Sequence, residues 1–399
     1  MKYDFETMPD RHGKDAIAVD SIGRPGAPAA PKEGFDAIPM WVADMNFATC
    51  PAVQESIIRR VQHPAFGYFD PAEAYYQAII RWQEKRNSVT GLEKQHIGYE
   101  NGVLGGIVST LNILCSRGDA VLLQRPTYIG FTHVLENNGY RIVLNPMYRD
   151  ADGIWRLDYE DMERKIVENR IHATIFCNPH NPCGRVWEKD EIVRAMEIFE
   201  KYGVWVVSDE IWSDLLLNGH RHTPTQSACA YAREHTAAFY APSKTFNLAG
   251  LVGSYHIIYN PWLRERQAKE ASLSAYNSMN VFSMHALTGA YSAEGAEWVD
   301  QLCGVLSGNI NYGYEYILEH SDGISLRKPE GTYMLFLHCE EWCRKHKKSL
   351  DDLLRRGTDV GVAWQDGRPF NDPFGIRMNL ALPRHMAEEA FERLGKYAF

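Results

Sequence analysis

The chain has 399 residues, of which 45% are hydrophobic and 23% are charged, a composition typical of a globular protein with a large buried core. This length excludes a small disulfide-framed or metal-stapled scaffold and, at ~150 residues per domain, predicts two or three domains. The 42 Lys and Arg residues against 51 Asp and Glu give a net charge of −9, which argues against sequence-independent binding to nucleic acid.

The N-terminal sequence MKYDFETMPDRHGKD has no apolar central region, so we expect no secretory signal, no membrane anchor and a cytoplasmic location. The longest stretch without a charged residue, 271–293, is rich in serine and asparagine. These side chains exclude a membrane span and predict two buried helical turns with a joint between them. The eight cysteines form no repeated CxxC pair, which favours reduced thiols over a zinc site.

Regular structure is predicted from Pro51 onward. The preceding segment from Gly23 to Pro39 is rich in proline and glycine and predicts an extended arm. Apolar residues at helical spacing follow Pro51, and Thr49 is the expected N-cap of that helix.

Short apolar runs alternate with amphipathic stretches between Gly102 and Gly253, a pattern typical of parallel strands joined by crossover helices. This alternation predicts strands at 120–124, 141–145, 173–177, 204–209, 237–241 and 253–258. It predicts intervening helices at 128–138, 159–169 and 189–202. The continuous apolar runs ATIFC and VWVVSD indicate strands buried on both faces. The sequence therefore predicts an α/β fold with a largely parallel sheet.

The pattern changes after about residue 286. A long helix at about 296–319 precedes the shorter strands GISLRK, TYMLFLH and FGIRMNLAL, with further helices near 349–356 and 384–397. This order predicts a smaller α+β domain, which the N-terminal arm could complete.

Lys244 directly follows an apolar strand in the sequence APSKTFNLAG, residues 241–250. It is therefore expected at the carboxyl end of that strand, where open α/β sheets bind ligands. A desolvated lysine amine has a lowered pKa and can form a Schiff base with a carbonyl group. Taken alone, the motif is equally compatible with a solvated surface lysine.

Three further motifs occur with SKTFNLAG: PTYIGF at 126–131, NPHNPCGR at 178–185 and SDEIWSDL at 208–215. The set resembles the fold-type I pyridoxal-phosphate (PLP) enzymes of the aspartate aminotransferase superfamily. Four other sequences narrow the resemblance to the MalY/PatB-type carbon–sulfur lyases, also called cystathionine β-lyases. These are WVADMNF (41–47), FGY (66–68), KPEGTYMLFL (328–337) and IRMNLALPR (376–384). The resemblance extends over nearly the whole chain.

The resemblance implies a PLP-dependent transferase fold of type I, with a mostly parallel seven-stranded sheet. The sheet would belong to a large PLP-binding domain at 48–285. Residues 1–47 and 286–399 would together form the smaller α+β domain, so two domains are expected, one of them discontinuous.

The resemblance also implies roles for polar residues that follow the strands. Lys244 corresponds to the residue that forms a Schiff base with PLP and removes the substrate's α-proton. Asp209 corresponds to the carboxylate that faces the pyridine nitrogen, and Asn181 to the donor for the phenolic oxygen. Tyr128 corresponds to the aromatic residue that stacks on the ring, near the reacting atoms. The alternatives are a helix-capping or turn aspartate for Asp209 and a core tyrosine for Tyr128.

The cofactor phosphate requires an anion site. Backbone amides at a helix start provide one, and GVLGG places Gly102, Val103 and Leu104 in the loop before the helix GIVSTLNIL. By resemblance, the hydroxyl of Ser243 binds the same phosphate. Tyr68 would reach it from the neighbouring subunit, which implies a homodimer with shared active sites.

Arg377 matches the arginine that binds the substrate α-carboxylate, a role suited to a planar bidentate donor. The alternative is a surface arginine on an edge strand. The backbone of Ala43 would be a second carboxylate contact, and Asn181 would also contact the substrate.

Three positions depart from the pattern of fold-type I aminotransferases. Trp212 occupies the position of a tyrosine, Val252 that of a phosphate-binding arginine, and Ala241 that of a serine. Each change removes a contact, so phosphate binding would depend more on Tyr68, Ser243 and backbone amides.

The resemblance implies a carbon–sulfur β-lyase that acts on cystathionine or another cysteine S-conjugate by α-proton removal and β-elimination. An aminotransferase acting on an amino acid and a 2-oxo acid is the alternative, because both reactions begin with removal of the same proton. A regulatory binding module that retains PLP for structure would not need the base Lys244. The missing GxGxxG motif disfavours a dinucleotide-dependent dehydrogenase. We expect no metal, nucleic-acid or membrane partner.

Overall fold

The computed structural model describes residues 2–274 and 277–399. Its largest sheet has seven strands, whose spatial order is Ile97–Asn101, Gly253–Ile258, Thr236–Tyr240, Trp205–Asp209, Ala173–Cys177, Ala120–Arg125 and Arg141–Pro146. Gly253–Ile258 is antiparallel to both of its neighbours, and the remaining pairs are parallel. The predicted mostly parallel seven-stranded sheet is confirmed.

The six strands predicted by alternation are all present, with ends that differ by at most one residue. The seventh, Ile97–Asn101, has no continuous apolar run, because it lies at the sheet edge and buries only Ile97 and Glu100. A half-exposed edge strand does not carry the hydrophobic pattern of a central one.

Helices cover both faces of this sheet, because alternate residues of its central strands pack into two different cores. Leu122 and Phe176 pack with the helices Tyr159–Asn169 and Lys189–Tyr202. Their chain neighbours Val121 and Ile175 pack in a second core, with Ile107 and Leu135 from the helices Val103–Leu114 and Ile129–Asn137. Side chains of a strand alternate between faces, so both faces of the sheet are buried.

Helix ends follow local capping chemistry. The helix Tyr159–Asn169 begins where the side chain of Asp158 accepts a hydrogen bond from the amide of Asp161, and Lys189–Tyr202 ends at Gly203, whose φ is 66°. The bounds predicted for both helices are confirmed.

The predicted N-cap of the first long helix is wrong. The helix Pro51–Val61 is preceded by Cys50 as N-cap, and no side chain caps it. Thr49 instead donates its hydroxyl to the carbonyl oxygen of Phe246, at 2.6 Å. Proline at the first helical position has no N–H, which lowers the number of amide donors that need a cap.

The C-terminal part contains a four-stranded antiparallel sheet in the order Ser325–Leu326, Met334–His338, Gly375–Asn379, Gln365–Asp366. Four helices accompany it: Ala293–His320, Glu340–His346, Leu350–Asp359 and Arg384–Tyr397. The N-terminal arm reaches this part, because Ile38–Pro39 pairs in parallel with Val362–Ala363. The arm is not extended throughout, since it turns at Gly23 and Gly26, both with φ of 84°. The division into two domains at residues 48 and 286 stays a prediction.

The remaining helices are Ile17–Asp20, Glu73–Asn87, Ala230–His235, Pro261–Ser274 and Val281–Ala290. Shorter elements are the strand pair Tyr148–Arg149 and Trp155–Arg156 and the 3-10 turns Lys94–His96, Thr225–Ser227, Ala249–Leu251 and Arg368–Phe370. The stretch 271–293, predicted as two buried helical turns and a joint, contains the end of Pro261–Ser274, where Leu273 is exposed, and the largely buried helix Val281–Ala290. Residues 275 and 276 of this stretch lie outside the described residues. Within the described part of the chain, every helix is too short or too polar to cross a bilayer.

Candidate active site

A cavity of about 200 Å³ lies where the strands Ala173–Cys177 and Trp205–Asp209 end. Nine of the residues predicted from the sequence line it: Ala43, Gly102, Val103, Leu104, Tyr128, Asn181, Asp209, Ser243 and Lys244. The first and last of them are 201 positions apart in the chain. The structure therefore brings most of the predicted site together at one sheet edge.

Lys244 follows the strand Thr236–Tyr240 and extends into this cavity. Its Nζ donates a hydrogen bond of 2.8 Å to the carbonyl oxygen of Ala43. Burial, assisted by the nearby charge of Arg377, lowers the pKa of Lys244 to about 8, while Asp44 and Asp209 oppose the shift. The alternative of a solvated surface lysine is excluded, and the amine is close to losing its proton at neutral pH.

Asp209 is the last residue of the strand Trp205–Asp209 and is buried. One carboxylate oxygen accepts a 3.0 Å hydrogen bond from the amide of Ile211. Burial raises the pKa of Asp209 to about 7, an effect that the hydrogen bond from Ile211 and, to a smaller extent, the charge of Lys244 partly offset. A carboxylate in this position would be stabilised by a cationic group in the cavity.

Arg377 lies in the middle of the strand Gly375–Asn379 and is buried. Its Nη1 donates to Oδ1 of Asn181 at 3.1 Å, and its Nη2 donates to the carbonyl of Trp41 at 3.2 Å and to the side chain of Gln365. Its Nε is buried without a hydrogen-bond partner among the described residues. Burial lowers the pKa of Arg377 to about 10. The alternative of a surface arginine on an edge strand is wrong, since this strand has a neighbour on each side.

The segment that carries Ala43 is held by two asparagines. Asn379 donates through Nδ2 to the carbonyls of Val42 and Asp44. Asn247 exchanges two hydrogen bonds of 2.9 Å with the backbone of Met45. Neither asparagine was predicted as a site residue, nor was Gln365, although Asn247 and Asn379 lie inside the motifs SKTFNLAG and IRMNLALPR.

The anion site differs from the prediction in where its helix begins. Gly102 is the N-cap with φ of 86°, and the helix starts at Val103 instead of within the later part of GVLGG. A residue with φ near this value is strained unless it is glycine. The first-turn amides of the helix have no intrahelical acceptor, so Val103 and Leu104 present amides where a phosphate would bind.

Tyr128 is the N-cap of the helix Ile129–Asn137, and its ring lies edge-on to Phe131 at 5.3 Å between centroids. A Cβ atom on Gly130 would lie 2.4 Å from the Tyr128 ring, so glycine at this position leaves room for the aromatic side chain. Burial raises the pKa of the Tyr128 phenol, which keeps it protonated as a donor at neutral pH.

Tyr68 is not in this cavity. Its side chain is fully exposed and lines a separate depression with Phe66, Phe69 and Asn277. The structure does not bring Tyr68 to Lys244 within one chain, and its role toward a neighbouring subunit stays a prediction.

The three departures from the aminotransferase pattern lie close to the cavity. Trp212 and Val252 line it, and Ala241 is buried beside Ser243. Trp212 packs edge-on against Tyr333, with 4.8 Å between ring centroids. Cys177, Ile211 and Ala249 also line the cavity and were not predicted. In the residues that the structure describes, no cluster of three or more His, Cys, Asp or Glu side chains could hold a metal ion.

Comparison with known proteins identifies the family. The profile of "Aminotransferase class I and II" matches residues 37–394. The chain belongs to this family of fold-type I PLP enzymes. It is 32% identical over 359 residues to cystathionine beta-lyase PatB of Bacillus subtilis strain 168, covering 89% of this chain and 90% of the relative. It is 28% identical over 394 residues to protein MalY of Escherichia coli K12, covering 97% and 96%.

Among solved structures, cystalysin from Treponema denticola, which contains a pyridoxal 5′-phosphate cofactor, superposes with a TM-score of 0.90 at 27% identity and covers 99% of this chain and 98% of its own. The α/β architecture and the relationship to PatB and MalY are thereby confirmed, as is the predicted cofactor. The protein is a PLP-dependent enzyme of the family that includes carbon–sulfur lyases and aminotransferases.

The residues of the cavity fit PLP. A buried carboxylate with a raised pKa at Asp209 suits a protonated pyridine nitrogen, because an opposite charge stabilises the ionised form. The helix start at Gly102 suits the phosphate, and the Lys244 amine suits the aldehyde. When bound, PLP supplies an electron sink for the pair of electrons left on the substrate's α-carbon.

Proposed function

We propose that the enzyme is a carbon–sulfur β-lyase that cleaves cystathionine or related cysteine S-conjugates. The bond between the β-carbon and sulfur breaks, and the thiolate leaves with the electron pair and takes up a proton. The remaining three-carbon unit and one water molecule give pyruvate and ammonia. The overall reaction consumes one conjugate and one water, and no oxidant or reductant is needed.

The observation that carries the proposal is the contact of Lys244 with the WVADM segment. The Nζ of Lys244 lies 2.8 Å from the carbonyl oxygen of Ala43, so the two motifs that suggested β-elimination form one site. The PatB relative is named a cystathionine beta-lyase, which supports the same reaction.

The roles of the chain's residues follow from their positions. Arg377, whose guanidinium stays protonated and whose Nε has no hydrogen-bond partner in the described part of the chain, binds the α-carboxylate. The side-chain oxygen of Asn181 accepts a hydrogen bond from Arg377, so the side-chain nitrogen of Asn181 is left to donate to a ligand in the cavity. Lys244 removes the α-proton once its amine is neutral, and the lowered pKa makes that form accessible near neutral pH.

Incubation of the purified holoenzyme with L-cystathionine, without a 2-oxo acid, tests the proposal. We expect thiol and pyruvate to form in equal amounts. The proposal fails if neither appears and turnover begins only when a 2-oxo acid is added. Protein that carries Lys244→Ala serves as the control for nonenzymatic breakdown.

An aminotransferase acting on an amino acid and a 2-oxo acid is the second candidate. The family profile, named for aminotransferases, favours it, and the same lysine would remove the same proton. This reaction leaves the β-carbon substituent in place and therefore consumes the 2-oxo acid without releasing thiol. Measuring thiol and the new amino acid in one reaction mixture separates the two candidates.

We also infer that the enzyme works as a homodimer whose sites are shared. Tyr68 is fully exposed beside the exposed ring of Phe66. Both side chains line one surface depression, and a contiguous exposed apolar patch favours contact with another protein. In the proposed dimer, Tyr68 of each subunit donates its hydroxyl to the cofactor phosphate of the other.

A further inference from the structure

A second cavity lies beside the substrate arginine. Its volume is about 460 Å³, and its walls include residues of the N-terminal arm and the segment 364–369. Two wall residues are also hydrogen-bond acceptors for Arg377: the carbonyl of Trp41 lies 3.2 Å from its Nη2, and the side chain of Gln365 accepts from the same nitrogen. The second cavity therefore lies directly beside the guanidinium of Arg377.

A neighbouring pair of residues gives a second connection. Tyr128 lines the cavity of Lys244, and the next residue, Ile129, lines the second cavity. With the α-carboxylate on Arg377 and the α-proton at Lys244, the group beyond the β-carbon is the part of the substrate that has no contact assigned to it. The second cavity is adjacent to Arg377 through Trp41 and Gln365, and to the first cavity through the neighbours Tyr128 and Ile129.

The walls of this cavity are mainly apolar. Trp41 donates its indole N–H to the carbonyl of Ala18 at 3.0 Å, and Trp364 donates its own to the carbonyl of Leu354 at 3.0 Å. Because both indole donors are occupied by backbone carbonyls, neither side chain presents a free N–H to the cavity. Ala29 adds further apolar surface from the arm.

The two ionised side chains on the walls already have partners. Arg355 pairs with Asp359 at 2.6 Å, and Asp366 pairs with Arg368 at 2.8 Å. A charged group entering this cavity would lose hydration against mainly apolar walls without gaining an unpaired charge of opposite sign, whereas an uncharged group would not bear that cost.

We propose that this cavity is the subsite for the sulfur substituent. It selects cysteine S-conjugates with a neutral, apolar substituent of about benzyl size over conjugates such as cystathionine, whose distal end is a charged amino acid. This inference rests on the proposed β-lyase function. A dry cavity of ~150 Å³ is sufficient to hold benzene, so 460 Å³ accommodates a benzyl group. A sulfur atom near aromatic rings is also favourably placed.

The test compares kcat/KM of the holoenzyme for S-benzyl-L-cysteine, S-methyl-L-cysteine and L-cystathionine, followed by pyruvate formation. We expect S-benzyl-L-cysteine to exceed L-cystathionine by at least ~10-fold. The variant Ala29→Trp, which fills the cavity, lowers the benzyl-to-methyl ratio by about 10-fold. Ala30→Trp, at the exposed neighbouring position, leaves that ratio unchanged. Because the benzyl-to-methyl ratio is compared between the wild type and its variants, the difference in leaving-group reactivity between the two substrates cancels.

Binding of benzyl methyl sulfide, measured by calorimetry, gives a readout that does not depend on turnover. We expect binding to the wild type and to Ala30→Trp, and at least ~10-fold weaker binding to Ala29→Trp and to Leu354→Trp, a second filling variant. Pyruvate formation with a preference for L-cystathionine, or with a ratio that Ala29→Trp does not change, overturns the subsite and leaves the lyase function standing. Absence of pyruvate from all three substrates overturns both.

Discussion

Lys244 and Ala43 are separated by 201 positions in the sequence, and the Nζ of the lysine lies 2.8 Å from the carbonyl oxygen of the alanine. This acceptor is neutral. A carboxylate in the same place would stabilise the ammonium form and raise the pKa, whereas a carbonyl orients the amine at a smaller cost to its deprotonation. The lysine is therefore both positioned and easily converted to a base.

Lys244→Ala is expected to abolish the visible Schiff-base absorbance of the bound cofactor and to lower turnover at least ~10³-fold, because it removes both the covalent attachment and the proton acceptor. Absorbance spectra and pyruvate formation measure the two effects. Lys201→Ala, which removes a surface lysine paired with Glu163, is the control and should match the wild type. Cofactor that stays covalently attached to Lys244→Ala after borohydride reduction and denaturation would mean that another lysine binds it.

Arg377→Lys is expected to raise KM by roughly 30- to 100-fold with a smaller change in kcat, because lysine cannot offer two parallel donors to a carboxylate. Steady-state kinetics with one substrate separates the two parameters. Arg384→Lys changes an arginine that pairs with Glu388 on the C-terminal helix and should leave KM unchanged. A fall in kcat at constant KM would show that Arg377 acts in the chemical step and not in binding.

Asp209 makes the stability of the apoprotein depend on pH. Its pKa rises from 3.8 to about 7 on burial, so between these values the folded state holds a proton that the unfolded state has lost. The contribution of this group to stability therefore falls as pH rises from about 4 to about 7. The substitution Asp209→Asn keeps an oxygen for the amide of Ile211 but removes the ionisable group.

We expect the free energy of unfolding of the Asp209→Asn apoprotein to gain about 2 to 4 kcal/mol relative to wild type between pH 5 and pH 8. Urea unfolding at the two pH values measures this difference. Other buried groups, such as His180, whose pKa burial lowers to about 3, are common to both proteins and cancel. Parallel pH profiles for the two proteins would contradict the assignment.

Val252→Arg is expected to tighten cofactor binding by about 10-fold, because it places a cation at the position where aminotransferases carry a phosphate-binding arginine. Val252 lines the cavity and has φ of 59°, an unfavourable conformation for a β-branched residue, so an unbranched side chain is tolerated there. Val252→Met is the control for shape without charge. Equal dissociation constants for the two variants would mean that the phosphate binds elsewhere.

The shared site predicts complementation between two inactive subunits. In a heterodimer of Lys244→Ala and Tyr68→Ala subunits, one site contains the intact lysine together with the intact tyrosine. Mixing equal amounts should restore about one quarter of the wild-type activity, since half of the dimers are mixed and each has one complete site. No recovery in a mixture proven to contain heterodimers would place Tyr68 outside the neighbouring site.

The sequence was sufficient to predict the residues that follow strands, because parallel strands bring their carboxyl ends to one edge. Asp209 ends its strand, and Lys244 follows the neighbouring one, so their proximity could be deduced from the order of motifs. The contacts made by Gln365 and Asn379 could not. Both depend on how distant segments pack, and neither has a local pattern of hydrophobicity or spacing that identifies its partner.

Arg377 and Asn379 are two positions apart on one strand, so their side chains leave the same face of the sheet. The arginine is the proposed anchor of the substrate carboxylate, and the asparagine holds the carbonyls on either side of Ala43. A displacement of this strand would thus move the carboxylate anchor and the acceptor of Lys244 as one piece. Binding of the substrate carboxylate at Arg377 is therefore coupled, through a single β-strand, to the position of the amine that removes the proton.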